Sequence, residues 1–182
     1  TWREPYVDEP YFYKTKFVSY DYEPIYALGT MLGIKDTVKL LRILEQVEIF
    51  GLDAMSTGVV LAWATEALER GLISERETIV KLSWGDHENY LKAIEYICNP
   101  PNEFYKDLGM GVEHAARKYG GLDFALAFGG NEMPGYHTGP AAHLGYLIGS
   151  RHSHLDSAGY SLDQKTMGKT LSPEETIDRL VS

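Results

Sequence analysis

The sequence predicts a mostly α, multi-helical fold. Three observations carry that expectation. Apolar residues recur at helical spacing over 37–50 and 54–70. Asp36, Asp53 and Asp86 stand as N-cap residues just ahead of periodic runs. Glycines or prolines close each run. With 182 residues, 44% of them apolar, the chain is large enough to bury a core.

Taken in order, residues 1–22 are rich in Tyr, Phe and Pro and read as an extended aromatic arm. Residues 23–100 form a first helical domain. A short apolar stretch runs to Gly33, and Asp36 caps a helix over 37–50. Leu40, Leu41, Leu44 and Val47 form its apolar side. Gly51 breaks that helix in a left-handed conformation. Asp53 caps the next helix, which runs to about Arg70 and ends at Gly71. A looser segment follows. Asp86 caps a third helix ending near Cys98, where Asn99-Pro100-Pro101-Asn102 stops it. Residues 101–182 form a second helical part: a helix over 104–119 broken at Gly109 or Gly111, a short strand over 124–128, and a glycine-rich turn. Then come a small-residue helix over 139–150, a polar loop, and a last helix opened by Ser172-Pro173, truncated at the C-terminus.

The net charge of −9 excludes a nucleic-acid surface and an anionic membrane surface as partners. A single cysteine, Cys98, rules out an internal disulfide. It also falls short of the four ligands of an iron–sulfur cluster. A reducing, cytoplasmic setting fits that usage. No run of about 18 apolar residues offers a membrane span, and the polar start TWREPYVDEP has no signal-peptide core.

The acids around Gly51 raise the chemical question. Glu48 lies four residues after Leu44 and seven after Leu41, so the spacing points it inward. It also sits at a helix C-terminus, where the macrodipole disfavours an anion by roughly 0.3–1 kcal/mol. Such a carboxylate needs a partner. One candidate is an Arg or Lys on another helix. The other is a ligand presenting adjacent N–H donors, such as the 2-aminopyrimidinone edge of a pterin or guanine. Asp53 is readable as an N-cap alone, or as part of a corner whose exposed N–H groups, with Ser56 and Thr57, take an anion.

Four of the six histidines, His137, His143, His152 and His154, fall in one stretch, and the HxH pair at 152 and 154 suits a metal. Two histidines do not make a zinc site, and polar loop histidines are the plain alternative. Cys98 reads as a small buried hydrophobe.

Taken together, GLDAMSTG at 51–58 with the acid three residues before it, VLAWATEALERGLIS, LSWGDHENYLKAIEYI, GVEHAARKYGG and EMPGYHTGPAAHLGYLIGSRHSHLD occur in an order and spacing that resemble the tungsten-containing aldehyde ferredoxin oxidoreductases. The resemblance covers roughly residues 20–182. It implies the helical domains of such an enzyme and a tungsten, or molybdenum, ion held by the dithiolenes of two pyranopterins. The implied activity oxidises aldehydes to carboxylic acids, with a [4Fe–4S] cluster passing electrons to ferredoxin.

The family's acid-x-x-Gly-Leu-Asp motif, which reads one pterin, maps onto Glu48, Gly51, Leu52 and Asp53. Glu48 departs from the usual Asp by one methylene. The family's glutamate near the metal, some 25 residues upstream of the motif acid, corresponds to Glu23. Its nearby histidine corresponds to His154, with His152 second. No residue of this chain is expected to ligate the metal itself. The family's N-terminal β domain, its cluster cysteines and its second acid-x-x-Gly-Leu-Cys motif have no counterpart here.

The leading expectation is therefore a fragment of a tungstopterin oxidoreductase, inactive alone, whose partners are the remaining domains or subunits and ferredoxin, with self-association also open. The alternative is a stand-alone pterin- or metal-binding or assembly subunit without catalysis of its own. A third reading, a metal-dependent hydrolase using the histidine cluster, lacks an HExxH-type pair to support it.

Overall fold

A computed structural model describes residues 2–5, 13–150, 159–169 and 172–181, with side chains from residue 17 onward except at 176 and 180. Near the start, β1 (Trp2–Pro5) and β2 (Tyr13–Lys16) pair as an antiparallel ladder, Trp2 opposite Lys16.

A single turn of helix, α1 (Tyr22–Ile25), runs directly into a π-helical turn over Tyr26–Thr30. The π turn is defined by two bonds that skip one residue more than an α-helix would: Met31 N–H to the Tyr26 carbonyl and Ile34 N–H to the Gly29 carbonyl, each 2.9 Å. The sequence predicts only a short apolar stretch here.

The next elements follow the caps. In α2 (Thr37–Phe50), Asp36 Oδ1 accepts from Lys39 N–H at 2.9 Å. In α3 (Ala54–Glu69), Asp53 Oδ1 accepts from Ser56 N–H at 2.7 Å. The loose segment contains one further turn, α4 (Glu75–Thr78). It is held by a capping box in which Ser74 N–H and hydroxyl both donate to Glu77 at 2.7 Å. Then come α5 (His87–Cys98), α6 (Glu103–Leu108) and α7 (Val112–Tyr119), the last two separated at Gly109–Gly111 as the sequence indicates.

The strand expected over 124–128 is shorter. A 3-10 turn at Leu122–Phe124 leads into β3 (Ala127–Phe128), which pairs with β4 (Asn131–Glu132) across the Gly129-Gly130 turn. The chain continues with α8 (Pro140–Ile148), α9 (Gly159–Lys165) and α10 (Pro173–Val181).

α3 is the axis of the fold. Val59, Val60, Leu61, Trp63, Ala64 and Ala67 are all buried, so the helix is covered on every side. α2, α5, α7, the π turn and β4 pack around it. Two close contacts fix this packing. Thr65, fully buried, donates its hydroxyl to the Leu61 carbonyl at 2.8 Å and lies 3.0 Å from the Tyr90 hydroxyl of α5. Gly58 lies against the backbone of Ala27 in the π turn.

Among the described residues, no single helix is long and apolar enough to cross a membrane.

Candidate functional site

The corner between α2 and α3 bends the chain by 117° within three residues. Its geometry explains the Gly-Leu-Asp sequence. Gly51 adopts φ 67°, ψ 30°, the left-handed conformation that glycine tolerates without strain. Leu52 N–H donates to the Val47 carbonyl at 3.0 Å and Gly51 N–H to the Glu48 carbonyl at 3.1 Å. These are the paired bonds of a Schellman motif, and Leu52, half-buried, supplies its apolar contact with the core. Asp53 then starts α3. Gly51, Leu52 and Asp53 are each needed to make the turn.

Glu48 is not. Its side chain is exposed and makes no hydrogen bond or ion pair among the described residues. The expectation that it faces the helical interior is therefore corrected. The buried stripe of α2 is set by Ile43, Leu44 and Val47. At roughly 100° per residue, Glu48 falls about 90° from the centre of that stripe, on its shoulder. Neither the salt bridge to a neighbouring helix nor the buried unpaired carboxylate is observed.

Asp53 is also exposed. Its Oδ1 caps α3, and its Oδ2 takes no partner among the described residues. Asp53 opens onto a cleft of about 310 Å³ whose walls include Leu52, Ser56, Val60, Leu108 and Glu132. Glu132 is the residue the sequence reading did not single out. Its Oε2 accepts from the Ser56 hydroxyl and its Oε1 from Val112 N–H, both at 2.9 Å.

The Thr57 hydroxyl turns back onto the Asp53 carbonyl at 2.6 Å. Both hydroxyls expected to meet an anion are thus engaged, and two carboxylates flank the cleft. The arrangement suits N–H donors and opposes a phosphate. Glu48 does not line the cleft. It is exposed at the end of α2 beside the same corner.

A second cluster surrounds Glu23, half-buried on α1, where Asp21 Oδ1 caps its N–H at 3.1 Å. The Tyr22 hydroxyl donates to the Gly135 carbonyl at 3.0 Å, and the Tyr22 ring lies 5.1 Å from that of Tyr136. Burial pushes the Tyr136 hydroxyl above the ordinary phenol value, and the Glu23 charge pushes the same way. Tyr146, buried on α8, is raised to about 12 by burial and then by Glu23. These phenols stay protonated at neutral pH. Gly135 fits closely against the π turn: a Cβ there would stand 2.4 Å from the Tyr26 ring.

His137 stacks on His143 with centroids 5.5 Å apart. Partial burial and the neighbouring imidazole hold His137 below the ordinary histidine value. His152 and His154 lie outside the described residues. Among the described residues, no three His, Cys, Asp or Glu side chains converge as a metal site. Cys98 is only half-buried, with its thiol raised by desolvation.

The family model for aldehyde ferredoxin oxidoreductase, domains 2 and 3, matches residues 5–181. The tungsten-containing aldehyde ferredoxin oxidoreductase of Thermococcus kodakarensis is 35% identical over 139 residues, covering 72% of this chain and 22% of the relative. That of Pyrococcus furiosus is 33% identical over 135 residues with the same coverage. The WOR-like subunit of an aliphatic sulfonate oxidoreductase from Pyrococcus furiosus is 33% identical over 98 residues, covering 54% of this chain and 16% of the relative. The chain spans about a fifth of the length of the aldehyde oxidoreductases it matches.

Proposed function

Because the chain belongs to the aldehyde ferredoxin oxidoreductase family, we propose that it forms the helical part of a tungsten, or molybdenum, pyranopterin oxidoreductase that converts aldehydes to carboxylic acids and passes electrons to ferredoxin. The observation that carries this reading is the α2–α3 corner. Two exposed carboxylates, Glu48 and Asp53, flank a left-handed Gly51, and neither Glu48 nor Asp53 Oδ2 is used by the described residues.

Ionised carboxylates only accept hydrogen bonds. The group they would hold must present N–H donors, as the aminopyrimidinone edge of a pterin does, so the donor set fits. The exposure of Glu48, beside exposed Ile49, suits a cofactor lying between this chain and further protein. The cluster cysteines and the other pterin contacts belong, on this reading, to that further protein.

When bound, the tungsten pterin supplies the oxidation itself, taking an electron pair as aldehyde and water become carboxylate and protons. This chain contributes acceptors and a proton site. Glu48 and Asp53 orient the pterin by its N–H edge. Glu23 takes a proton from the attacking water or orients it. Tyr136 and Tyr146 stay protonated at neutral pH beside Glu23. His154, with His152 second, is proposed to hydrogen-bond the substrate carbonyl.

The likeness to a subunit of an aliphatic sulfonate oxidoreductase supports a second reading, in which the chain assembles with separate subunits and does no chemistry alone.

The deciding experiment is tungsten and pterin analysis of the protein produced in its native host, parent against Glu48→Gln. The parent carries both components and the variant loses them while remaining folded. Equal tungsten and pterin in the two proteins would remove Glu48 from the cofactor site.

A further inference from the structure

Asp53 does not stand alone at the corner. Its Oδ1 receives Ser56 N–H at 2.7 Å, the Ser56 hydroxyl donates to Glu132 Oε2 at 2.9 Å, and Glu132 Oε1 receives Val112 N–H at 2.9 Å. This chain of three bonds runs from the first turn of α3, across the cleft, to the first turn of α7. It ties together residues far apart in sequence: Ser56 and Glu132 are separated by 76 positions, Glu132 and Val112 by 20.

The backbone is shaped around Glu132. Gly111, just before α7, holds φ +99°, and a Cβ there would sit 3.0 Å from Glu132 Oε1. The residue ahead of α7 supplies no side-chain cap, and the Glu132 carboxylate fills that role from β4. The Gly129-Gly130 turn, with both glycines at positive φ, brings β4 back so that Glu132 reaches the cleft.

We propose that Glu132 is a positioning residue for the pterin-reading corner: through Ser56 it holds the first turn of α3, and with it Asp53, in the orientation that receives the cofactor's N–H edge. The inference rests on the pterin reading of the corner. Glu132 itself has one bond on each oxygen and acts through Ser56.

Glu132 preorganises the corner. Asp53 is exposed, and the bond to Glu132 ties the α3 first turn to α7 in addition to its own cap and the burial of Thr57. Anchoring it to α7 through a carboxylate gives two charge-assisted bonds, which are stronger than neutral ones. Outer partners of this kind at metal sites change affinity by roughly 10–100-fold when removed.

The test uses the natively produced protein with Ser56→Ala, Glu132→Ala, Glu132→Gln and the Ser56→Ala/Glu132→Ala double variant. The rate of pterin and tungsten loss is followed by fluorescence of released pterin and by metal analysis, and hydrogen exchange is read at the Ser56 and Val112 amides. Ser56→Ala and Glu132→Ala each speed pterin loss about tenfold, and the double variant loses it no faster than Glu132→Ala. Glu132→Gln restores part of the retention, because its amide oxygen still accepts from Val112 and its NH₂ donates to Ser56. Asp86→Ala, which removes the cap at the end of α5 away from the cleft and is compared at matched distance from its own thermal midpoint, keeps its pterin.

Parental retention in both single alanine variants overturns the proposal. It falls alone if Glu48→Gln or Asp53→Ala still sheds pterin, and it falls together with the pterin reading if they do not. Pterin loss in Asp86→Ala equal to that in Glu132→Ala also overturns it, because general destabilisation would then account for the effect.

Discussion

Gly58 of α3 and Ala27 of the π turn meet backbone to backbone: a Cβ on Gly58 would lie 2.5 Å from the Ala27 carbonyl oxygen. No side-chain rotation relieves a clash with backbone. Gly58→Ala therefore forces α3 and the π turn apart and destabilises the protein by about 1–3 kcal/mol, read as a lower denaturant midpoint at unchanged slope. Because the turn follows α1, which carries Glu23, the same variant should, on the oxidoreductase reading proposed above, lower aldehyde turnover in the assembled enzyme more than its remaining folded fraction explains. A variant with parental midpoint and parental turnover would show that the contact has slack.

The two acids of the corner separate stability from binding. Asp53 caps α3 through Oδ1, so Asp53→Ala costs about 1 kcal/mol of stability. The Glu48 side chain contributes no bond to the turn, and Glu48→Gln stays within about 0.5 kcal/mol of the parent, as other exposed substitutions do. Urea unfolding of both variants checks this. A large loss for Glu48→Gln would mean that its carboxylate is engaged in the fold.

Acid stability is governed in part by Asp107. This buried carboxylate accepts from Lys118 Nζ at 2.6 Å and from the Tyr119 hydroxyl at 2.9 Å, and meets His114 Nε2 at 3.1 Å. Burial pushes its carboxyl up. The bonds from Lys118, His114 and Tyr119 outweigh that and hold it below the usual aspartate range. A carboxylate with a depressed folded-state value contributes stability that is present above its unfolded value, about 3.9, and is lost as pH falls through the folded one. Asp107→Asn should lower the thermal midpoint at neutral pH and flatten its fall below about pH 4. Parallel pH curves for parent and variant would exclude this role.

Ile79 is the one non-glycine residue with positive φ among those described, at φ 61°, ψ −35°. It closes a tight turn in which Val80 N–H reaches the Thr78 carbonyl at 2.6 Å. A β-branched residue there carries strain of about 1–3 kcal/mol. Glycine removes it at an entropic cost of about 0.5–1 kcal/mol. The side chain is exposed, so little burial is lost. Ile79→Gly should raise the thermal midpoint by a few degrees, and a lower one would show that the isoleucine contacts outweigh the strain.

Much of the helical frame was legible because its signals are local. Asp36, Asp53 and Asp86 each announced a helix within a few residues, and Gly51 with Leu52 announced the corner. The Ser74–Glu77 capping box was also written in the sequence, but a helix of one turn shows no periodicity. The π turn depends on Gly58 and Gly135 fitting against Ala27 and Tyr26, contacts that no window of sequence contains. The orientation of Glu48 was misread for a related reason. Spacing from Leu41 and Leu44 points it inside, whereas the centre of the buried stripe is set jointly by Ile43, Leu44 and Val47. Glu132 escaped notice because its two partners lie 76 and 20 residues away.

The π turn at Tyr26–Thr30 amounts to one surplus residue in an otherwise α-helical path. Excising a single position there would let the segment relax into a regular helix and rotate everything before it by roughly 100° about its axis. Tyr22 and Glu23 would swing to another quarter of the surface while α3 and its neighbours stayed in place. The aim of that carboxylate is thus adjustable by the loss of one codon, independently of the core that supports it.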